Sequence, residues 1–277
     1  MNRRDFIKTA GIMMAAAAAG TVRPVQAQAA ESRPEDSKED IHAAIPTGPP
    51  QHIAMLLYPS FILLDLFGPH AILAALGNIQ VHLVWKRREV VASSNDIAIA
   101  PTATFAECPD KVEVLFVPGG LEGGNAIMTD PDVVAFLQSR GGRATYVTSV
   151  CTGSLILGAA GLLRGYRATS HWTVRHLLPL LGAEPVPGRV VEDRNRLTGG
   201  GVTAGIDFGL HLAARMRGES YAKMLQLAFE YDPQPPFHAG SPETAGRMLA
   251  DHMKERRAPA VEAARRAAVE AARRLNL

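Results

Sequence analysis

The chain has 277 residues, 47% of them hydrophobic, and its two cysteines are too few for a disulfide scaffold. Its formal charge of +2 belongs to the first 27 residues, which hold four of the 29 Lys and Arg but one of the 27 Asp and Glu. The remainder is close to neutral, which argues against nucleic acid as a partner.

Residues 1–27 carry an arginine pair at Arg3 and Arg4, then Phe6 and Lys8, an apolar run from Gly11 to Gly20, and a small-x-small site at Val25-Gln26-Ala27. That order of features predicts a twin-arginine signal peptide, read by the export machinery and removed, with a periplasmic mature protein. The apolar run is about half of the ~20 residues that a membrane-spanning helix needs. Residues 28–50, rich in Ala, Ser, Glu, Asp and Pro and ending in Thr47-Gly48-Pro49-Pro50, read as a flexible lead-in.

From residue 51 onward strand-like and helix-like stretches alternate. His52–Tyr58, Ile79–Trp85, Val112–Val117 and Ala144–Val150 are apolar β-prone runs. Helices are predicted at Leu64–Leu76, Asp132–Gln138, Gly153–Ala160, Val174–Leu181 and Ala204–Arg215. This alternation predicts an α/β fold with a mostly parallel sheet covered on both faces. Such sheets bind ligands beyond the carboxyl ends of their strands. Three polar or glycine-rich segments lie there: Asp65-Leu66-Phe67-Gly68-Pro69, Pro118-Gly119-Gly120 and Cys151-Thr152-Gly153-Ser154.

Cys151 occupies a strand-to-helix turn, where the following helix amides favour a thiolate; a buried, inert cysteine closing a core strand is the competing role. Asp65 sits among Phe61, Ile62, Leu63, Leu64, Leu66 and Phe67, a setting that raises a carboxyl toward a useful acid–base range. Its alternative is a cap or loop anchor. Gly119 and Gly120 are either turn formers or presenters of backbone amides to a developing negative charge. Thr152 is a candidate hydrogen-bond donor to the sulfur or to a reacting atom.

The stretches LLYPSFILLDLFGPH (56–70), VASSNDIAI (91–99), FVPGG (116–120) and TSVCTGSLILGAAGLLRGYRATSHW (148–172) resemble the DJ-1/PfpI superfamily, and within it the bacterial isonitrile hydratase group. The likeness continues through LTGGGVTAGIDFGLHLAA (197–214) and EYDPQPPFHAGSPETA (230–245). It implies a flavodoxin-like three-layer sandwich with a cysteine nucleophile elbow over residues 51–241, followed by a helical extension at 242–277. It further implies Cys151 as nucleophile, Asp65 as its acidic partner, Thr152 as an orienting residue, and Gly119, Gly120 and the Thr152 amide at the substrate or oxyanion. Aspartate at 65 is the form of the hydratase group, where many relatives use glutamate. Thr152 replaces the histidine that protease-like relatives place after the cysteine, so a Cys-His peptidase fits poorly. The implied reaction is hydration of an isocyanide to an N-substituted formamide through a thioimidate, with no metal or organic cofactor. The implied assembly is a homodimer.

Other features point elsewhere. Gly199-Gly200-Gly201 lacks the spacing of a phosphate cradle and reads as a tight turn beside Thr203 and Asp207. His70, His211 and His238 lack metal-ligand spacing, His171-Trp172 is either a pocket wall or a structural pair, and Cys108 has no reaction role. Arginine, alanine and glutamate dominate the end of the chain, which predicts a solvated helix with a face available to a second subunit. Carbonyl detoxification by the same cysteine and a non-enzymatic binding or stress-response role are the functional alternatives. Related domains serve as sensory modules of AraC-like regulators, but the sequence after the core is too short for an appended pair of helix-turn-helix units.

Overall fold

The computed structural model describes residues 45–277. The predicted export signal and the predicted lead-in up to residue 44 lie outside the described residues. The remaining six lead-in residues are tied to the domain: Ile45 packs on the core, and Asn78 Nδ2 donates to the Pro46 carbonyl at 2.9 Å.

The central sheet has seven strands: β1 (Gln51–Leu56), β2 (Ile79–Trp85), β3 (Ala103–Thr104), β4 (Val114–Val117), β5 (Tyr146–Val150), β6 (Val190–Asp193) and β7 (Arg196–Gly199). They lie in the order β6-β7-β5-β4-β1-β2-β3. Every pair is parallel except the β6–β7 hairpin at one edge. The runs Val114–Val117 and Val147–Val150 are buried throughout, which is why they are continuous rather than alternating in sequence. After β1 the chain builds outward through β2 and β3, then returns to add β4, β5 and β7 on the other side. The order therefore reverses between β1 and β4, and the crevice of an open α/β sheet forms at that point.

Two helical layers cover the sheet. On one side α1 (Leu63–Ala74) packs against a helix here called α5 (Ala204–Arg217), which in turn packs on α6 (Glu219–Ala228). The contact is close because it is made through glycine: a Cβ at Gly205 would stand 2.9 Å from Pro69 Cδ, and one at Gly209 3.0 Å from Ile72 Cβ. On the other side lie α2 (Leu121–Ile127) and α4 (Gly153–Ala159), with α3 (Pro131–Gly141) against β4.

Two of the predicted elements take another form. Val174–Leu181 is a 3₁₀ helix over Arg175–Leu181 that contains Pro179, which has no amide to continue an α-helical ladder. The final segment forms α7 (Pro242–Ala245) and α8 (Arg247–Leu275), and α8 is not simply solvated. It buries Ala250, Ala264, Ala268 and Ala271 against its own domain, packing on α2, α4 and the 3₁₀ helix. Arg274 secures its end by donating to the Ala159 carbonyl at 2.7 Å.

Candidate active site

The reversal of strand order places the segments that follow β1 and β4 side by side, and β5 brings the cysteine turn next to them. Cys151 follows Val150 directly and has φ of 58°, the left-handed region that costs a non-glycine residue of order 1–2 kcal/mol. Its neighbours hold it there. The Cys151 amide donates to the Gly199 and Gly200 carbonyls at 3.0 and 2.7 Å. The Cys151 carbonyl accepts from Ser170 Oγ at 3.0 Å, the His171 amide at 3.3 Å and Ser154 Oγ at 3.4 Å. The triple-glycine turn is thus a clamp on the elbow rather than a ligand cradle. Gly153 lets the elbow press on the preceding loop, since a Cβ there would lie 2.8 Å from the Pro118 carbonyl oxygen.

Asp65, in the first turn of α1, is completely buried beside the thiol. Its Oδ2 accepts the Gly119 amide at 3.0 Å. Its Oδ1 is sealed from solvent with no partner of hydrogen-bond geometry among the described residues. Burial pushes the carboxyl up to about 7, while the Cys151 thiol and the Gly119 amide pull it down. Burial also pushes the Cys151 thiol well above its ordinary value, and the Asp65 charge adds to this; the Thr152 amide and the Arg257 guanidinium pull it down. A proton shared by two buried groups that each resist ionisation suits transfer to a substrate atom.

The two glycine amides expected at an anion both have protein acceptors. Gly119 donates to Asp65, and Gly120 donates to Thr152 Oγ1 at 2.9 Å. They aim the acid and the threonine, and the Thr152 amide is the backbone donor that faces sulfur. A Cβ on Gly119 would collide with Asp65 Oδ2 and come within 2.7 Å of Cys151 Cβ. Gly120 has φ of 155°, and a Cβ there would stand 2.7 Å from the Ser60 carbonyl oxygen.

The site includes residues that the sequence reading did not single out. Tyr58 is fully buried, donates to the Pro118 carbonyl at 2.9 Å, and is held well above its ordinary value by burial and then by Asp65 and Cys151. A polar hydroxyl ending an apolar strand was its only sequence signal. Ser170 stands 19 residues from the carbonyl it binds and gave none. His171 combines the two roles considered for it. Its Nδ1 meets Thr173 Oγ1 at 2.7 Å, and it lines a cavity of about 510 Å³ with Ser170, Trp172, Gly200 and Gly201. Thr203 borders that cavity, whereas Asp207 is engaged by Arg189 and by Tyr231, whose hydroxyl donates at 2.8 Å. Cys108 is a second buried free thiol, with Sγ 3.8 Å from the Pro109 carbonyl oxygen. Among the described residues, no group of three His, Cys, Asp or Glu could hold a metal ion.

Residues 51–215 match the model of the DJ-1/PfpI family. The chain belongs to that family. It is 50% identical over 225 residues to the isonitrile hydratase of Pseudomonas putida, covering 81% of this chain and 98% of that protein. The crystal structure of a ThiJ/PfpI family protein from Pseudomonas syringae superposes with a TM-score of 0.80 at 47% identity, over 86% of this chain and 97% of the other. An HTH-type transcriptional regulator of Pseudomonas aeruginosa is 28% identical over 66% of this chain, which spans 51% of that regulator. The fold is accordingly the flavodoxin-like α/β sandwich of DJ-1/PfpI proteins.

Proposed function

We propose that this protein hydrates an isocyanide to an N-substituted formamide through a covalent intermediate on Cys151. The observation that carries the reading is the Asp65 carboxyl, buried against the Cys151 thiol and poised near 7, in a chain half identical to an isonitrile hydratase along almost all of that relative. Cys151 Sγ attacks the terminal isocyanide carbon, and the thiol proton passes by way of Asp65 to that carbon, giving a thioimidate. Water then adds across the C=N bond, with its oxygen on carbon and a proton on nitrogen. Cleavage of the C–S bond releases the formamide and restores the thiol. In this reading Gly119 orients the acid, Gly120 orients Thr152, and the Thr152 amide stabilises negative charge at sulfur.

No step calls for a metal or an organic cofactor. The substrate is a small isocyanide, the working form is a homodimer, and the precursor reaches the periplasm through a twin-arginine signal in residues 1–27. Purified protein incubated with a simple alkyl or aryl isocyanide should yield the formamide, detected by mass spectrometry. Cys151→Ala should abolish turnover and Asp65→Asn should reduce it at least 100-fold, within the span of a lost general acid–base. Undiminished turnover by Cys151→Ala would eliminate the mechanism, and conversion of a reactive carbonyl in place of every isocyanide tried would favour detoxification.

A further inference from the structure

We propose that Arg257 is the charge-setting residue of the Cys151 site, a fixed cation on the C-terminal helix that favours the thiolate over the buried thiol. The proposal rests on Cys151 as nucleophile and goes beyond that reading by assigning α8 a part in the site.

Ala250, Ala264 and Ala271 are buried on α8 at spacings of whole heptads, and the missing member of that series is position 257. Alanine at the other members lets the helix lie close to the domain. Arginine stands at this one, partly buried while its neighbour Arg256 is exposed. The surrounding contacts fix that level of the helix. Met253, one turn earlier, borders a cavity with His171 and Trp172. Ala258 and Val261 border a groove with Trp172 and Thr173. The Ala260 carbonyl accepts Asn125 Nδ2 at 3.1 Å, which joins α8 to α2, the helix that begins directly after Gly120. His171 in turn donates its amide to the Cys151 carbonyl. Among the described residues Arg257 has no ion-pair or hydrogen-bond partner.

The other titratable groups near the thiol do not supply this charge. Asp65 on α1 and Tyr58 after β1 are acids, and both oppose a thiolate when ionised. His171 is pushed down to about 4, first by burial and then by Arg257, so it is neutral near pH 7. Arg175 from the 3₁₀ helix faces a cavity that also presents Glu243. His176, Lys254, Glu262 and Arg265 line the separate groove that Trp172 and Thr173 also border. Arg257 is left as the cation that acts on the sulfur, and it pulls the Cys151 thiol and His171 in the same direction.

The test is alkylation of Cys151 by iodoacetamide as a function of pH, followed at the peptide level so that Cys108 is read separately. Arg257→Gln should alkylate about threefold to tenfold more slowly at pH 7 and move the inflection to higher pH. Arg257→Lys should restore most of the wild-type rate, which loss of packing alone would not produce. If Arg257→Gln fails to fold, the comparison passes to wild type and Arg257→Lys over a salt series: added NaCl should slow both, because it screens a partly exposed cation. Superimposable pH profiles for wild type and Arg257→Gln, or salt-independent rates in that series, overturn the proposal. Alkylation reads the thiol and not isocyanide turnover, so failure here is distinguishable from failure of the hydratase reading.

Discussion

Asp65→Asn is expected to lower activity and yet to leave a more stable protein above pH 7, because the carboxyl is held where ionisation is costly. Burial raises it from an ordinary value of 3.8 to about 7. The folded protein therefore keeps the Asp65 proton to a higher pH than the unfolded chain does. Between about pH 4 and 7 the folded state binds more protons, so stability falls as pH rises; the loss is complete above 7 and absent below 4. At about 1.4 kcal/mol per pKa unit, a shift of this size corresponds to about 4 kcal/mol at most, and partial relaxation around Oδ1 brings the expected range to about 2–4 kcal/mol. Asparagine keeps an acceptor for the Gly119 amide and carries no charge, so the variant should lack this pH dependence. Urea unfolding of both proteins at pH 4.5 and 8.5 measures the effect as a change in their stability difference. Parallel pH dependence in the two proteins would refute the assignment of Asp65 as a desolvated acid.

Gly119→Ala should cost about 1–3 kcal/mol in stability and nearly all activity, since the new methyl meets Asp65 Oδ2 and Cys151 Cβ; unfolding curves and formamide yield measure the two effects separately. Light scattering of the mature chain should give a dimer mass, and a monomer mass unchanged with concentration would remove the homodimer from the proposal. Cell fractionation should find a shortened periplasmic protein, with Arg3→Lys/Arg4→Lys leaving precursor in the cytoplasm; full-length wild-type protein confined to the cytoplasm would overturn export without touching the cysteine chemistry.

The parts of the fold legible in the sequence were those whose burial is written locally. Ile79–Trp85 is a strand with the bounds its apolar run predicts, and Thr-Ser-Val-Cys-Thr-Gly-Ser marks a strand that ends at the Cys151 turn. The parts not legible depend on distant partners. β3 is two residues long and follows a clamp in which the Leu83 amide donates to Thr102 Oγ1 at 2.8 Å, a contact that no local pattern announces. The same division holds in the site. Cys151, Asp65 and Thr152 stand out by type and position, whereas the assignment of the Gly119 and Gly120 amides required knowing which side chains approach across 54 and 32 residues. Composition showed α8 to be helical, but the heptad of buried alanines acquires meaning only when the helix is seen lying on α2 and α4.

The costly features of the molecule converge at the reversal of strand order. Cys151 adopts a left-handed backbone, Asp65 is buried with one oxygen lacking a hydrogen-bond partner among the described residues, and the Asp65 charge raises the cost of ionising the thiol. Separately, each would relax: a non-glycine residue would leave positive φ, and a carboxylate would turn toward water. They persist because the surroundings fix them in several directions at once. Two carbonyls hold the Cys151 amide, three donors hold its carbonyl, and an apolar first turn of α1 surrounds the acid. An acid poised near 7, beside a sulfur whose approach is fixed, suits addition to an electrophilic carbon followed by addition of water.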